Sequence, residues 1–145
     1  MNFKNESGYT LFELIIVISI LSVILLIAVP SYHSLSKTNE IEHFFEQLQE
    51  DIYYTQMTAI SRGKPIMLDF ITTLSQYRIL ASNQTIVKRD YPHDIIVEKG
   101  TLETKIEFNP NGNIRKAGTI FIKTANGKYK LTFQLGKGRF EIAKM

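Results

Sequence analysis

The sequence predicts an α+β fold: one long amino-terminal helix, apolar in its first half and amphipathic in its second, packed on a small antiparallel β-sheet. Three observations carry this. Residues 11–29 form an apolar run whose only polar members are Glu13, Ser19 and Ser22. From Thr38 apolar residues recur mostly at three- and four-residue spacing, the period of an amphipathic helix. Beyond Pro65 the pattern changes to short β-branched and aromatic runs separated by turn residues.

The apolar run comes first. Nineteen helical residues rise about 28 Å, close to the roughly 30 Å hydrocarbon core of a bilayer, so the segment is expected to span a membrane. A secretory signal would be shorter and would be followed by a small-x-small cleavage site; neither Val29-Pro30 nor Tyr32-His33 supplies one. The break lies before the run, after the polar leader Met1-Asn2-Phe3-Lys4-Asn5-Glu6-Ser7 and Gly8.

The helix is expected to resume after Pro30. Ile41, Phe44, Phe45, Leu48, Ile52, Ala59 and Ile60 form the apolar stripe, with Glu40, Glu46, Glu50 and Asp51 between them. Gly63 and Pro65 mark its end near Arg62. The absence of glycine between Ser31 and Thr38 favours a single helix kinked at Pro30 over two helices joined by a linker.

Strands are expected at 66–71, 77–80, 85–87, 95–97 and 105–108, then a meander of 119–123, 129–135 and 139–143. Asn126-Gly127 is read as its tight turn and Gly136-Lys137-Gly138 as its second connection. In the middle strand Tyr129, Leu131, Phe133 and Leu135 share one face, and Lys128, Lys130, Thr132 and Gln134 the other.

Composition narrows the chemistry. With 44% hydrophobic and 21% charged residues in 145, the chain is globular in balance and long enough for one ordinary domain. It has no cysteine, which excludes disulfide frameworks, thiol nucleophiles and cysteine-bearing zinc or iron–sulfur centres. The net charge of +3 is unevenly spread: residues 1–30 carry −1, residues 31–112 carry −3 and residues 113–145 carry +7.

Gly8, then Tyr9-Thr10-Leu11-Phe12-Glu13, then an apolar helix and Pro30, closely resembles the class III signal of type IV pilins and pseudopilins. The resemblance implies cleavage between Gly8 and Tyr9 by a membrane aspartyl peptidase that also methylates the new amino terminus at Tyr9. Phenylalanine is usual there, and tyrosine keeps the aromatic ring. The family's glutamate at the fifth mature position maps onto Glu13, and its proline at the twenty-second onto Pro30. A carboxylate inside a membrane helix costs a few kcal/mol and is normally paired. The amino terminus of a neighbouring subunit is a suitable cation; the plain alternative is a carboxylate at the interfacial edge, favoured near a helix amino terminus.

On this resemblance the chain divides into a leader at 1–8, a transmembrane and filament-core helix at 9–30, its amphipathic continuation at 31–63, and a β-rich globular domain at 64–145. Together these make the type IV pilin fold. The rhythm of Phe108 to Gly112, Gly118 to Ile122 and Gly138-Arg139 is similar to the H-like minor pseudopilins, and with residues 50–62 it looks most like their competence members in Gram-positive bacteria.

No catalytic constellation emerges, and neither enzyme activity nor a cofactor is expected. His33, His43 and His93 share no ligand spacing, and His43 reads as a helix-surface residue. Asn109-Pro110-Asn111-Gly112-Asn113 lacks the carboxylates of a calcium loop and reads as a turn. Gly136-Lys137-Gly138-Arg139 is too short to cradle phosphates. The basic block supplies candidate DNA contacts at Arg115, Lys116, Lys128, Lys130, Lys137 and Arg139. Set against that is an ordinary solvated sheet face, because strand alternation scatters these residues over both faces and the loops.

The expected function is that of a minor pilin of a competence (transformation) pilus, required for pilus assembly and DNA uptake. A single membrane pass would leave the carboxy-terminal domain outside, at the cell surface after assembly. The implied partners are other major and minor pilins, the prepilin peptidase/N-methyltransferase, an assembly ATPase and its membrane platform protein. Competing readings are a minor pseudopilin of type II secretion, a DNA-binding pilus receptor using the basic carboxy-terminal sheet, and an unrelated single-pass membrane protein that keeps its leader.

Overall fold

The structure, a computed structural model, describes residues 10–136 and 138–145, and within helix α1 it leaves the side chains of residues 26–36 undescribed. Helix α1 spans Leu11–Arg62. Thr10 starts it: its hydroxyl accepts the Glu13 N–H at 3.3 Å and its carbonyl accepts the Leu14 N–H at 3.2 Å, the geometry of an amino-terminal cap. Gly63 ends it. This residue adopts φ +60° and donates its N–H to the Ile60 carbonyl at 3.3 Å, a left-handed conformation that glycine enters without penalty. The helix is continuous where a linker was the alternative; the kink expected at Pro30 falls among the undescribed side chains.

The chain forms two compact units, Met1–Asn39 and Glu40–Met145. Within the second, the strands divide into two four-stranded antiparallel sheets rather than the one sheet expected. The first has the order β3-β2-β1-β5, with β1 at Ile66–Ile71, β2 at Gln76–Ala81, β3 at Gln84–Asp90 and β5 at Lys105–Phe108. The second has the order β4-β6-β7-β8, with β4 at Ile96–Lys99, β6 at Gly118–Thr124, β7 at Gly127–Phe133 and β8 at Phe140–Lys144. The division starts after β3. Tyr91 and Ile95 bury their side chains on either side of Pro92, and the Tyr91 N–H bonds back to the Ser75 carbonyl at 2.9 Å. Proline has no N–H to extend a ladder, so the chain leaves the first sheet and β4 pairs with β6.

The expected meander β6-β7-β8 is present, but its first turn sits one residue earlier than Asn126-Gly127. Thr124 and Gly127 are the closing pair, leaving Ala125 and Asn126 as the loop. The Thr124 hydroxyl accepts the Asn126 N–H and donates to the Gly127 carbonyl, both at 3.2 Å, so a side chain fixes the turn. Tyr129, Leu131 and Phe133 do share the inner face, whereas Leu135 lies past the strand end and is 75% exposed.

One core serves the whole second unit. Phe44, Leu48, Ile52 and Ala59 of α1 meet Ile66, Leu68, Phe70, Tyr77, Ile79, Ile106 and Phe108 of the first sheet and Val97, Ile120, Ile122, Leu131 and Phe133 of the second. Burying each such side chain contributes about 1.5–3 kcal/mol, and this covers the apolar stripe of the helix.

Candidate assembly surfaces and a basic sheet face

The cap at Thr10 places Glu13 in the first turn of α1, where unpaired helix amides favour a carboxylate. Its side chain is exposed, as is every side chain from 11 to 25. Ser19 and Ser22 donate their hydroxyls to the Ile15 and Ile18 carbonyls, each at 2.8 Å, so neither brings an unmet donor to this apolar surface. Among the described residues no helix is long and apolar enough to cross a membrane. The described part of the apolar run stops at residue 25, and its remainder at 26–29 lies among the undescribed side chains. Gly8 and Tyr9, the expected processing pair, lie outside the described residues.

In the second unit α1 presents two faces. Ile41, Phe44, Leu48, Ile52, Thr55 and Ala59 are buried. At 100° per residue, Glu42, Glu46, Tyr53, Met57 and Ile60 fall on the opposite side, and all five are exposed. This outward stripe is acidic at its start and apolar at its end, with Tyr53 51%, Met57 61% and Ile60 47% exposed. Ile60, assigned to the core stripe from sequence, therefore belongs to the outward one. Tyr53 also packs against Phe140 of β8, the two rings tilted by 53° with centroids 5.0 Å apart.

Asp51, read from sequence as one of the polar spacers, is buried to 4% exposure. Its carboxylate accepts the Tyr77 hydroxyl at 2.7 Å and the Arg89 Nε at 3.1 Å, which ties α1 to β2 and β3. Burial, reinforced by the hydrogen bond and charge of Asp51, pushes the Tyr77 phenol well above its ordinary value. The signal was present in the sequence: Phe44, Leu48, Asp51 and Thr55 follow the four-three-four spacing of a buried face.

The 109–113 segment is a turn. The Gly112 N–H bonds to the Asn109 carbonyl at 2.9 Å, and the Asn111 Oδ1 accepts the Asn113 N–H at 3.0 Å. Gln56 of α1 donates its Nε2 to the Gly112 carbonyl at 2.8 Å. Gly138 of the β7–β8 connection closes over the same spot, where a Cβ would collide with the Gln56 amide and the Gly112 carbonyl. His43 and His93 are both exposed and do not meet, and among the described residues no cluster of His, Asp and Glu could hold a metal ion.

The six candidate DNA contacts do not form one stripe. Arg115 sits beside β5 and pairs with Glu107 at 2.7 Å, with Lys116 next to it. Lys128 and Lys130 point outward from β7 in the other sheet. Arg139 lies just before β8, its carbonyl accepting the Gln134 N–H at 3.1 Å, and Lys137 lies outside the described residues. Lys123, which belongs to the same basic block in sequence, stands directly opposite Lys128 on the same outward face.

Comparison with known proteins agrees with both halves of this architecture. Residues 3–29 match the prokaryotic N-terminal methylation motif, and residues 45–137 match the family described as type II transport protein GspH. The competence protein ComGD of Bacillus subtilis (strain 168) is 30% identical over 146 residues, covering 99% of each chain. In fold, the type IV minor pilin FimU of Pseudomonas aeruginosa aligns with TM-score 0.61 at 18% identity, over 75% of this chain and 92% of its own. The minor pseudopilin EpsH from the type 2 secretion system of Vibrio cholerae aligns with TM-score 0.56 at 11% identity, over 72% and 97% respectively. The chain therefore belongs to the GspH-type minor pseudopilins of the type IV pilin-like family, membrane-anchored structural subunits that assemble with other pilins.

Proposed function

We propose that this chain is a minor pilin of a competence pilus, a subunit needed for pilus assembly and for DNA uptake. The observation that carries the reading is the end-to-end similarity to a competence protein, 99% of each chain. Its physical counterpart is a subunit with two exposed apolar helical surfaces, at 11–25 and at Tyr53, Met57 and Ile60. Exposed apolar surface of this extent is costly in water and marks a binding face.

In this reading a prepilin peptidase cuts between Gly8 and Tyr9 and methylates Tyr9. The apolar helix holds the subunit in the membrane by a single pass with the carboxy-terminal domain outside. An assembly ATPase acting through a membrane platform moves it into the filament. Glu13 then meets the amino terminus of a neighbouring protomer, and Pro30 provides the bend between the helix halves. Gel mobility and amino-terminal sequencing of protein from cells test the first step: the expected first residue is Tyr9, and a retained leader overturns the assignment. Deletion of the coding sequence tests the role. Loss of transformation with normal protein secretion is expected, whereas a secretion defect with normal transformation would assign the subunit to type II secretion.

A further inference from the structure

Strand register gathers charge on the outward face of the second sheet in a way the sequence does not show. In one row across the sheet stand Ile96, Lys123 and Lys128; in the next stand Glu98, Phe121 and Lys130. Lys123 and Lys128 are direct cross-strand neighbours, an arrangement that costs stability because like charges oppose each other. Each ammonium has a local partner. Lys123 pairs with Glu98 at 2.6 Å, and the Lys128 ammonium rests over the Phe121 ring, 4.4 Å from its centroid. A negatively charged polymer laid across the two rows would be a counter-charge shared by Lys123, Lys128 and Lys130.

We propose that this face binds the phosphate backbone of nucleic acid through Lys123, Lys128 and Lys130. The inference rests on the competence reading, and it names the surface that touches DNA. Lys128 occupies the face of Phe121, so the ring serves to hold the ammonium and offers no free platform for stacking a base. Recognition is therefore electrostatic and independent of sequence, as expected where only phosphates are contacted. Arg115 and Lys116, on the other sheet, take no part.

Full-length protein in a non-ionic detergent, titrated against a labelled mixed-sequence duplex, tests this. Three phosphate contacts predict an affinity loss of roughly 40-fold as salt rises from about 50 mM to about 200 mM. The K128Q/K130Q variant should cut the logarithmic salt slope to about one third, while R115Q/K116Q leaves it unchanged. Binding that survives K128Q/K130Q, or binding lost in R115Q/K116Q instead, would overturn the proposal. So would failure of K128Q/K130Q to enter pili, which would assign the face to contact with another subunit, for instance an acidic helix stripe. Normal pilus entry with lost duplex binding supports it. Absence of the unaltered protein from pili would count against the pilin reading alone, because the binding assay does not depend on assembly.

Discussion

The Tyr77 hydroxyl donates to the Asp51 carboxylate at 2.7 Å, and this bond joins the carboxy-terminal part of the long helix to the first sheet inside the core. Arg89 reaches the same oxygen from the adjacent strand at 3.1 Å. Asp51→Ala would leave a buried phenol without its acceptor. The expected loss is about 2–3 kcal/mol, set by the cost of stranding a partner of a charged group, with the half-exposed Arg89 able to turn to water. Tyr77→Phe should cost less, about 1–2 kcal/mol, because Asp51 keeps Arg89. Urea unfolding of both variants and of the double variant checks this, and strict additivity would show that the two side chains do not interact.

The same bond makes stability sensitive to alkali. Burial and Asp51 raise the folded Tyr77 phenol above its unfolded value near 10, and burial raises Tyr91 in the same direction. A group raised in this way contributes fully below its unfolded value and loses its contribution as pH climbs past it. Stability should therefore hold up to about pH 10 and fall beyond it. Ultraviolet titration should show these two phenols ionising only as the unit unfolds. In Tyr77→Phe the fall above pH 10 should be shallower; an unchanged slope would refute the assignment.

Two glycines with similar left-handed backbones should respond differently to alanine. Gly63 has open space around its Cβ position, so Gly63→Ala should cost about 1 kcal/mol, the backbone penalty alone. At Gly138 the new methyl also meets the Gln56 amide and the Gly112 carbonyl. The cost there should rise to roughly 3 kcal/mol, strain plus overpacking. Equal losses in thermal or urea unfolding would mean that the tie between Gln56, Gly112 and Gly138 is not rigid.

Met57 and Ile60 test the outward helix stripe. Because both are exposed, Met57→Lys or Ile60→Lys should change the stability of the isolated subunit by no more than about 0.5 kcal/mol. Incorporation into sheared pili, measured by immunoblot, should nevertheless fall several-fold, since a charge would have to be buried against a neighbour. Normal incorporation would show that this stripe faces solvent in the filament.

Glu13→Val should still insert into the membrane, having lost only a polar group from the apolar run, yet enter pili poorly. Pilus entry at the normal level would remove the pairing of Glu13 with a neighbouring amino terminus, leaving the carboxylate its local role in the first helical turn beside Thr10.

The sequence alone determined whatever depends on local period and spacing: the apolar run from Leu11, the helix ending at Arg62, eight strands close to their observed places, and the Gly8, Tyr9, Glu13 and Pro30 register. Only the tertiary structure decided which side of a period faces what. Ile60 sits within a few residues of core positions, and rotation about the helix axis exposed it; Asp51 lies on the spacing of the buried face, and what the fold added is the pair of partners, Tyr77 and Arg89, that satisfy a buried carboxylate. Pairing outside the β6-β7-β8 meander was equally beyond local reading, because which strand lies beside which is there fixed by contacts far apart in the chain. That is why one expected sheet became two, and why a diffuse basic block resolved into Lys123, Lys128 and Lys130 on one face with Arg115 on another sheet.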